Sequence, residues 1–235
     1  MNSPPQRRFQ VGINAETLAL AWARQEAAPH GAIVIVDHEI SPRGRLGRLW
    51  PHPADRTAVL ASVWRPSLDA ASADLVWLAA SLGLLSAARS LDGTRPLALW
   101  WPDGLVDAED RWVGEVRAEV QLAPGRVTSA VVTARLDLAA MGEPDRDTVT
   151  TALIAGLGMG AGHLDGNDEQ LCASYGDSCR LTGRRITARL LPRGAARGRA
   201  RGVDGRGSLE LVSTTGLVER VPVDSLDHIE LSPQE

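Results

Sequence analysis

Ser41-Pro-Arg-Gly-Arg-Leu-Gly-Arg-Leu-Trp50 sets Arg43, Arg45 and Arg48 at i, i+2 and i+5, spaces them with Gly44 and Gly47, and closes on a tryptophan. Each residue type has a physical use. Glycine lets a backbone approach a ligand closely, and arginine offers a fork that matches phosphate or carboxylate. Trp50 can stack on a flat ring. Such a segment can close over a nucleotide-like species and exclude water from it. The alternative is an exposed basic linker, and the pattern alone leaves both readings open. In either case the Gly/Arg texture reads as a mobile loop.

The flanks say what the loop connects. Before it, Ala32–Val36 is a β-rich buried run; after it, Ala58–Arg65 is a strand closed by Pro66. Thr17–Ala28 carries apolar residues at helical spacing and is stopped by Pro29-His30-Gly31. Downstream, Ala71–Leu91 is a long Ala/Leu-rich helix, buried on most of its surface. Pro96–Trp101 is a short strand, Leu105-Val106 and Trp112–Val120 form a hairpin-like pair around the acidic turn Asp107–Asp110, and Val127–Leu138 is a β-branched strand. Asp147–Leu157 reads as a helix with Asp147 near its N-cap, and Gly156–Gly162 as its end and a flexible link. That glycine run is not a dinucleotide fingerprint, because it follows a helix rather than a strand. Cys172–Arg180 is a short helix. From Gly183 onward, Arg185–Leu190, Ala195–Val203, Ser208–Ser213 and Leu217–Pro222 alternate with Gly/Pro turns, the texture of a small β-barrel. The expected division is therefore residues 1–182 and residues 183–235. Eight arginines from Arg184 to Arg206 crowd the second part; with no aromatic between them, a solvated sheet face outweighs a nucleic-acid patch.

The 235 residues suit a large domain with a small appendage, and 44% hydrophobic with 23% charged residues is an ordinary globular balance. A net charge of −4 supplies no global basic field for nucleic acid. All 25 basic residues are arginine. That excludes a Schiff-base lysine, a Walker-A lysine or a lysyl general base within the chain. No signal-peptide core or uninterrupted apolar span is visible, so a cytoplasmic protein with no membrane partner is expected. Cys172 and Cys179 have a spacing that fits no common zinc pattern, and no metal site is assigned.

With those residues in view, Pro42–Trp50 resembles the GRGRxGRxW loop of biotin–protein ligases, with Pro42 in place of the first glycine. The likeness continues in register. Ala32–Glu39 resembles the strand leading into that loop, Val63-Trp-Arg-Pro66 the LRP strand end, and Trp101-Pro-Asp-Gly104 the WPND turn. Arg111-Trp-Val-Gly114 falls where the family has K-x-x-G, and Asp204–Leu209 through His228-Ile229 is similar to its small C-terminal domain. The resemblance implies an α+β fold: a mixed-sheet biotin/lipoate ligase-like catalytic domain followed by an SH3-like barrel. It implies ATP-dependent activation of biotin to biotinyl-5′-AMP with Mg²⁺ sharing the phosphate charge, then transfer to a lysine of biotin carboxyl carrier protein. On that likeness Arg111, Arg43 and Arg45 are catalytic clamps. Glu39, Arg43, Gly44, Arg45, Gly47, Arg48, Trp50, Trp101, Asp103, Gly114 and Asp137 line the ligand site, and Trp50 covers the adenine side. The first recognised element begins near residue 11, so no DNA-binding winged helix is expected. An exposed sheet edge could pair two chains as a homodimer.

The departures from the pattern fall at functional positions. The family lysine is Arg111, which is bulkier and fixed in protonation. Asn-Asp of WPND becomes Asp103-Gly104, and the Ser-Thr-Asn motif has only Ala15-Glu-Thr17 as its nearest copy. Glu39 replaces a glutamine of the biotin pocket, bringing a charge that needs a partner. The GxGxN strand reads Thr133-Ala-Arg-Leu-Asp137, so Thr133 and Arg135 crowd a place where glycines would admit the ligand. Convergence of Asp103, Glu39 and Asp137 would make a Mg²⁺ site. Two functions stand: a biotin–protein ligase, or a non-catalytic or repurposed protein of that fold that binds another acid or a protein.

Overall fold

Thr57–Trp64 (β3) is buried along its whole length, as a strand covered on both faces must be. The computed structural model describes residues 4–232. In it β3 lies third in a seven-stranded sheet, after Gln6–Gly12 (β1) and Ile33–Glu39 (β2). Arg126–Asp137 (β7), Trp112–Ala123 (β6), Gly104–Val106 (β5) and Ala98–Trp100 (β4) continue it in that order. Among the described strands of this sheet, β1 and β2 pair in parallel and the other neighbouring strands pair antiparallel, so the sheet is mixed.

Side-chain alternation explains the layers. Val34, Val36, Val59, Ala61 and Val63 pack with Ala15, Ala19 and Trp22 of Ala15–Gln25 (α1). Ile33, Ile35, Ala58 and Leu60 belong to the larger core on the opposite face. That core is built by Leu75–Leu91 (α2), Arg146–His163 (α3) and Asp168–Ser178 (α4). By length and composition the segment Ala70–Leu91 could cross a membrane, but most of its apolar window is buried inside the protein.

Two expectations about α3 change, and one strand was not anticipated. Gly156–Gly162 is not a link, since α3 runs helically to His163. Its glycines let α2 and α3 touch: a Cβ on Gly83 would sit 2.6 Å from the Gly156 carbonyl, and one on Gly160 2.6 Å from that of Ala79. The helix also starts earlier than expected, capped by Asp145, whose carboxylate accepts from Thr148 N. The N-terminal strand β1 escaped the sequence reading because its alternation of exposed and half-buried residues belongs to an edge, not a core strand.

The C-terminal strands are Arg185–Leu190 (β8), Ala195–Val203 (β9), Leu209–Val212 (β10), Val218–Val221 (β11) and Leu226–Leu231 (β12). They form an open antiparallel sheet in the order β11-β10-β9-β8-β12, not the closed barrel expected. β12, which no strand pattern announced, pairs with β8 and lies at one edge. The Leu226 and Asp227 carbonyls at its start accept hydrogen bonds from Arg45 and Arg48 of the Gly/Arg loop, not from a further strand.

Candidate functional site

The Gly/Arg loop is held from beneath by strands β6 and β7. Arg135 on β7 donates to the Arg43 carbonyl at 3.1 Å, and Arg117 on β6 to that of Gly44 at 3.0 Å. Arg117 also pairs with Glu16 of α1 at 2.6 Å. A Cβ on Gly44 would lie 2.5 Å from Glu115 Oε2, so glycine is what lets the loop sit directly on that carboxylate. Gly47 takes φ +72° and completes the tight turn.

Arg135 is the centre of the arrangement. It is fully buried, and its guanidinium reaches Glu39 on β2 twice, at 3.0 and 3.2 Å, and Glu115 on β6 at 3.1 Å. Glu115 and Arg135 are directly opposite in the β6–β7 register, which makes them a cross-strand pair. Glu39 also accepts from Ala15 N, at the start of α1, at 2.7 Å. The lone carboxylate anticipated at Glu39 therefore has its partner. Around Glu39, Pro42, Trp50, Ala54, Thr57 and Val59 only about 10 Å³ remains free, no more than a single water needs.

The loop arginines are engaged by the protein itself. Buried Arg45 donates to Asp103 at 3.2 Å, to Leu226 O at 2.6 Å and to Asp227 O at 2.7 Å. Arg48 reaches the Asp227 carboxylate at 2.7 Å. Arg43 folds back on Ser41 Oγ and Gly47 O. The loop is thus a docked strap between the two sheets, not the free segment its composition suggests.

The other expected residues disperse. Trp50 is buried, with its indole N–H donating to Thr57 Oγ1 at 2.8 Å, so it faces inward. Trp101 is buried and donates to Gly207 O. Gly114 lies tight under β7, where a Cβ would meet Arg135 O at 2.9 Å. Asp137 pairs with Arg56 at 3.2 Å and approaches His52 Nδ1 at 3.3 Å. Arg111 is 73% exposed and bonds within its own acidic turn, to Asp107 at 2.7 Å and Glu109 at 3.1 Å. Glu39, Asp103 and Asp137 thus serve three separate arginine partners, Arg135, Arg45 and Arg56. Among the described residues no group of three or more His, Cys, Asp or Glu is placed to hold a metal.

Beside this filled region a cleft of about 390 Å³ opens between the two sheets. Arg45, Arg48, Trp100, Trp101, Asp103, Trp112, Glu115 and His228 line it, with Leu49, Pro51, Leu226 and Ile229. Burial pushes the Glu115 carboxyl up to about 7, helped by the charges of Asp103 and Glu39 and opposed by Arg135. Burial likewise raises Asp103, against the pull of Arg45. Sequence reasoning missed Glu115, Arg117, Trp100, Trp112 and His228 as site residues. The available signal was Glu115 and Arg117 at i and i+2 on a strand that a core requires to be apolar at such positions.

No family model and no curated protein matches the chain in sequence. Solved structures do match its fold. Biotin protein ligase from Aquifex aeolicus in complex with biotin and ATP superposes with a TM-score of 0.75 at 14% identity, over 97% of this chain and 99% of that one. A biotin protein ligase-like protein of unknown function from Silicibacter gives 0.73 at 16% identity, over 94% and 95%. Leishmania major biotin protein ligase in complex with biotinyl-5-AMP gives 0.60 at 14% identity, over 94% and 99%. The chain therefore has the biotin protein ligase fold over nearly its whole length.

Proposed function

We propose that the chain is a repurposed protein of this fold, a small-molecule-binding module that takes its ligand in the tryptophan-lined cleft and does not activate biotin. One observation carries the reading. Arg135 stands where the family motif has a glycine, and its buried side chain, pinned by Glu39 and Glu115, occupies the space the glycine would leave open. The residues present do not fit biotin there: a neutral ring system would have to displace an ion pair that burial and four hydrogen bonds hold in place. In this reading residues 1–182 form the ligase-like unit and 183–235 a small appended β unit. The free thiols of Cys172 and Cys179 suit a reducing cytoplasm.

Biotin-dependent exchange of labelled pyrophosphate into ATP, with Mg²⁺ and an active control enzyme, tests the proposal without an acceptor. The expected result is background exchange and no heat of biotin binding. Exchange above background would refute it.

A second reading is favoured by the survival of the Gly/Arg loop beside an open cleft. In it the protein is an AMP-forming ligase using ATP and an acid, with carrier-protein lysine as acceptor. Arg48, the most exposed of the cleft arginines, would then meet phosphate, and Trp100 and Trp112 a flat ring. Exchange supported by an acid other than biotin would select this reading.

A further inference from the structure

We infer that the cleft binds a small organic cation, a protonated amine carried on an apolar body, with the amine on Asp103 and Glu115 and the body between Trp100 and Trp112. The inference rests on the reading that the neighbouring pocket is closed by Arg135.

Two buried carboxylates border the cleft, and each has one oxygen that receives no hydrogen bond from another residue among those described. Asp103 uses Oδ2 for Arg45, and Glu115 uses Oε1 for Arg135. The Glu115 side chain is only 8% exposed, so water satisfies it poorly. Arg45 and Arg135 direct their remaining hydrogen bonds elsewhere, Arg45 to Leu226 O and Asp227 O and Arg135 to Glu39 and Arg43 O.

The charge balance points the same way. Asp103, Glu115 and the underlying Glu39 face two guanidinium groups, Arg45 and Arg135. Across the cleft, Arg48 is paired with Asp227 and also favours the ionised form of Asp103, and His228 lies between Asp227 and Glu230. With Glu115 ionised, one negative charge is left over in a poorly solvated wall, and burial favours a proton on Glu115 in its place. An anionic ligand would raise that cost, and a cation relieves it. Tryptophan is the strongest of the aromatic partners for a cation, and both Trp100 and Trp112 line the cavity. A volume of about 390 Å³ is that of a small-ligand site. The raised carboxyls fit as well: they are the groups a bound ammonium would ionise.

An isosteric series tests this: phenethylammonium, 2-phenylethanol and 3-phenylpropionate, titrated calorimetrically into the whole protein at pH 6 and pH 8. The amine is expected to bind roughly ten- to a hundred-fold more tightly than the alcohol, the range of a charge-assisted hydrogen bond. It should bind more tightly at pH 8 than at pH 6, because Glu115 ionises between them while the amine stays protonated. Glu115→Gln should reduce the preference and remove the pH dependence that Glu115 supplies. Should that variant not fold, Trp112→Phe and the wild-type pH series carry the test. Equal affinity for amine and alcohol, tighter binding of the carboxylate, or no amine binding by folded wild type would overturn the inference. Biotin titrated in parallel separates the two readings: biotin binding sinks the closed-pocket proposal, whereas failure of amine and biotin together sinks only the amine.

Discussion

Removing the Arg135 guanidinium while leaving its two carboxylates should be among the most damaging single changes available to this protein. Arg135→Met keeps much of the side-chain volume but strands Glu39 and Glu115, both buried, and frees the Arg43 carbonyl of the loop above. Breaking one side of a buried ion pair costs about 3–5 kcal/mol, because the remaining charge stays desolvated without a partner. For a chain of this length that corresponds to a fall in Tm of roughly 6–20 °C. Neutralising the stranded partners reverses the sign of the problem. Arg135→Met combined with Glu39→Gln and Glu115→Gln replaces an ionic cluster by neutral groups, an exchange that is often neutral or stabilising. The triple variant should therefore recover most of the lost stability. Urea denaturation of wild type, single and triple variants reads both steps. A single variant that loses less than about 1 kcal/mol, or a triple variant no better than the single, would refute the claim that Arg135 is held as the counter-ion of two buried carboxylates.

Arg45→Ala should release β12 from the loop and leave Asp103 unpaired; we expect a loss of about 2–4 kcal/mol and faster amide exchange around Leu226–His228, read by hydrogen-exchange mass spectrometry. Gly83→Val pushes side-chain atoms onto the α3 backbone at Gly156 and should lower Tm sharply, with an overpacking cost of about 1–3 kcal/mol or more. Arg111→Ala should leave both melting and cleft binding unchanged, since its side chain is exposed and bonded only within its own turn; a clear loss of binding in calorimetry would return Arg111 to the site. Glu115 holds its proton more tightly when folded, at about 7 against an ordinary 4.5. Its contribution is therefore fully present below about pH 4.5 and lost as pH rises through 7, by up to about 3 kcal/mol. The slope of stability with pH over that window should flatten in Glu115→Gln.

The fold was legible in the sequence wherever periodicity and burial agree. β3, α2 and the β5–β6 pair stand close to where their apolar patterns put them, because tertiary packing and local pattern make the same demand there. It was illegible where a residue type serves a purpose other than its usual one. Glycines that ordinarily end a helix lie inside α3, because the approach of α2 leaves no room for a Cβ. The mixed polarity of β1 conceals a strand, because an edge has only one covered side. The residues of the candidate site were legible singly but not their contacts. The Gly/Arg loop, Asp103, Glu39 and Arg135 could all be picked out, yet spacing alone cannot show that a guanidinium on β7 points at a carboxylate on β2. That contact follows from β3 lying between them in the sheet, a long-range fact of register.

The two unusual residues explain each other. A glutamate at position 39 alone would place an uncompensated charge in a closed pocket, and an arginine at position 135 alone would have only Glu115 as its counter-ion. Together they form an ion pair that Glu115 extends, and the pair fills the volume that either change by itself would leave costly. The same economy applies to the loop. Arg45 and Arg48 cannot both anchor β12 through Leu226 and Asp227 and also swing over a ligand without releasing it. A loop of this composition can be a gate or a strap, and its bonds here are those of a strap. One face the strap leaves accessible is the cleft, where tryptophans and two incompletely satisfied carboxylates meet solvent.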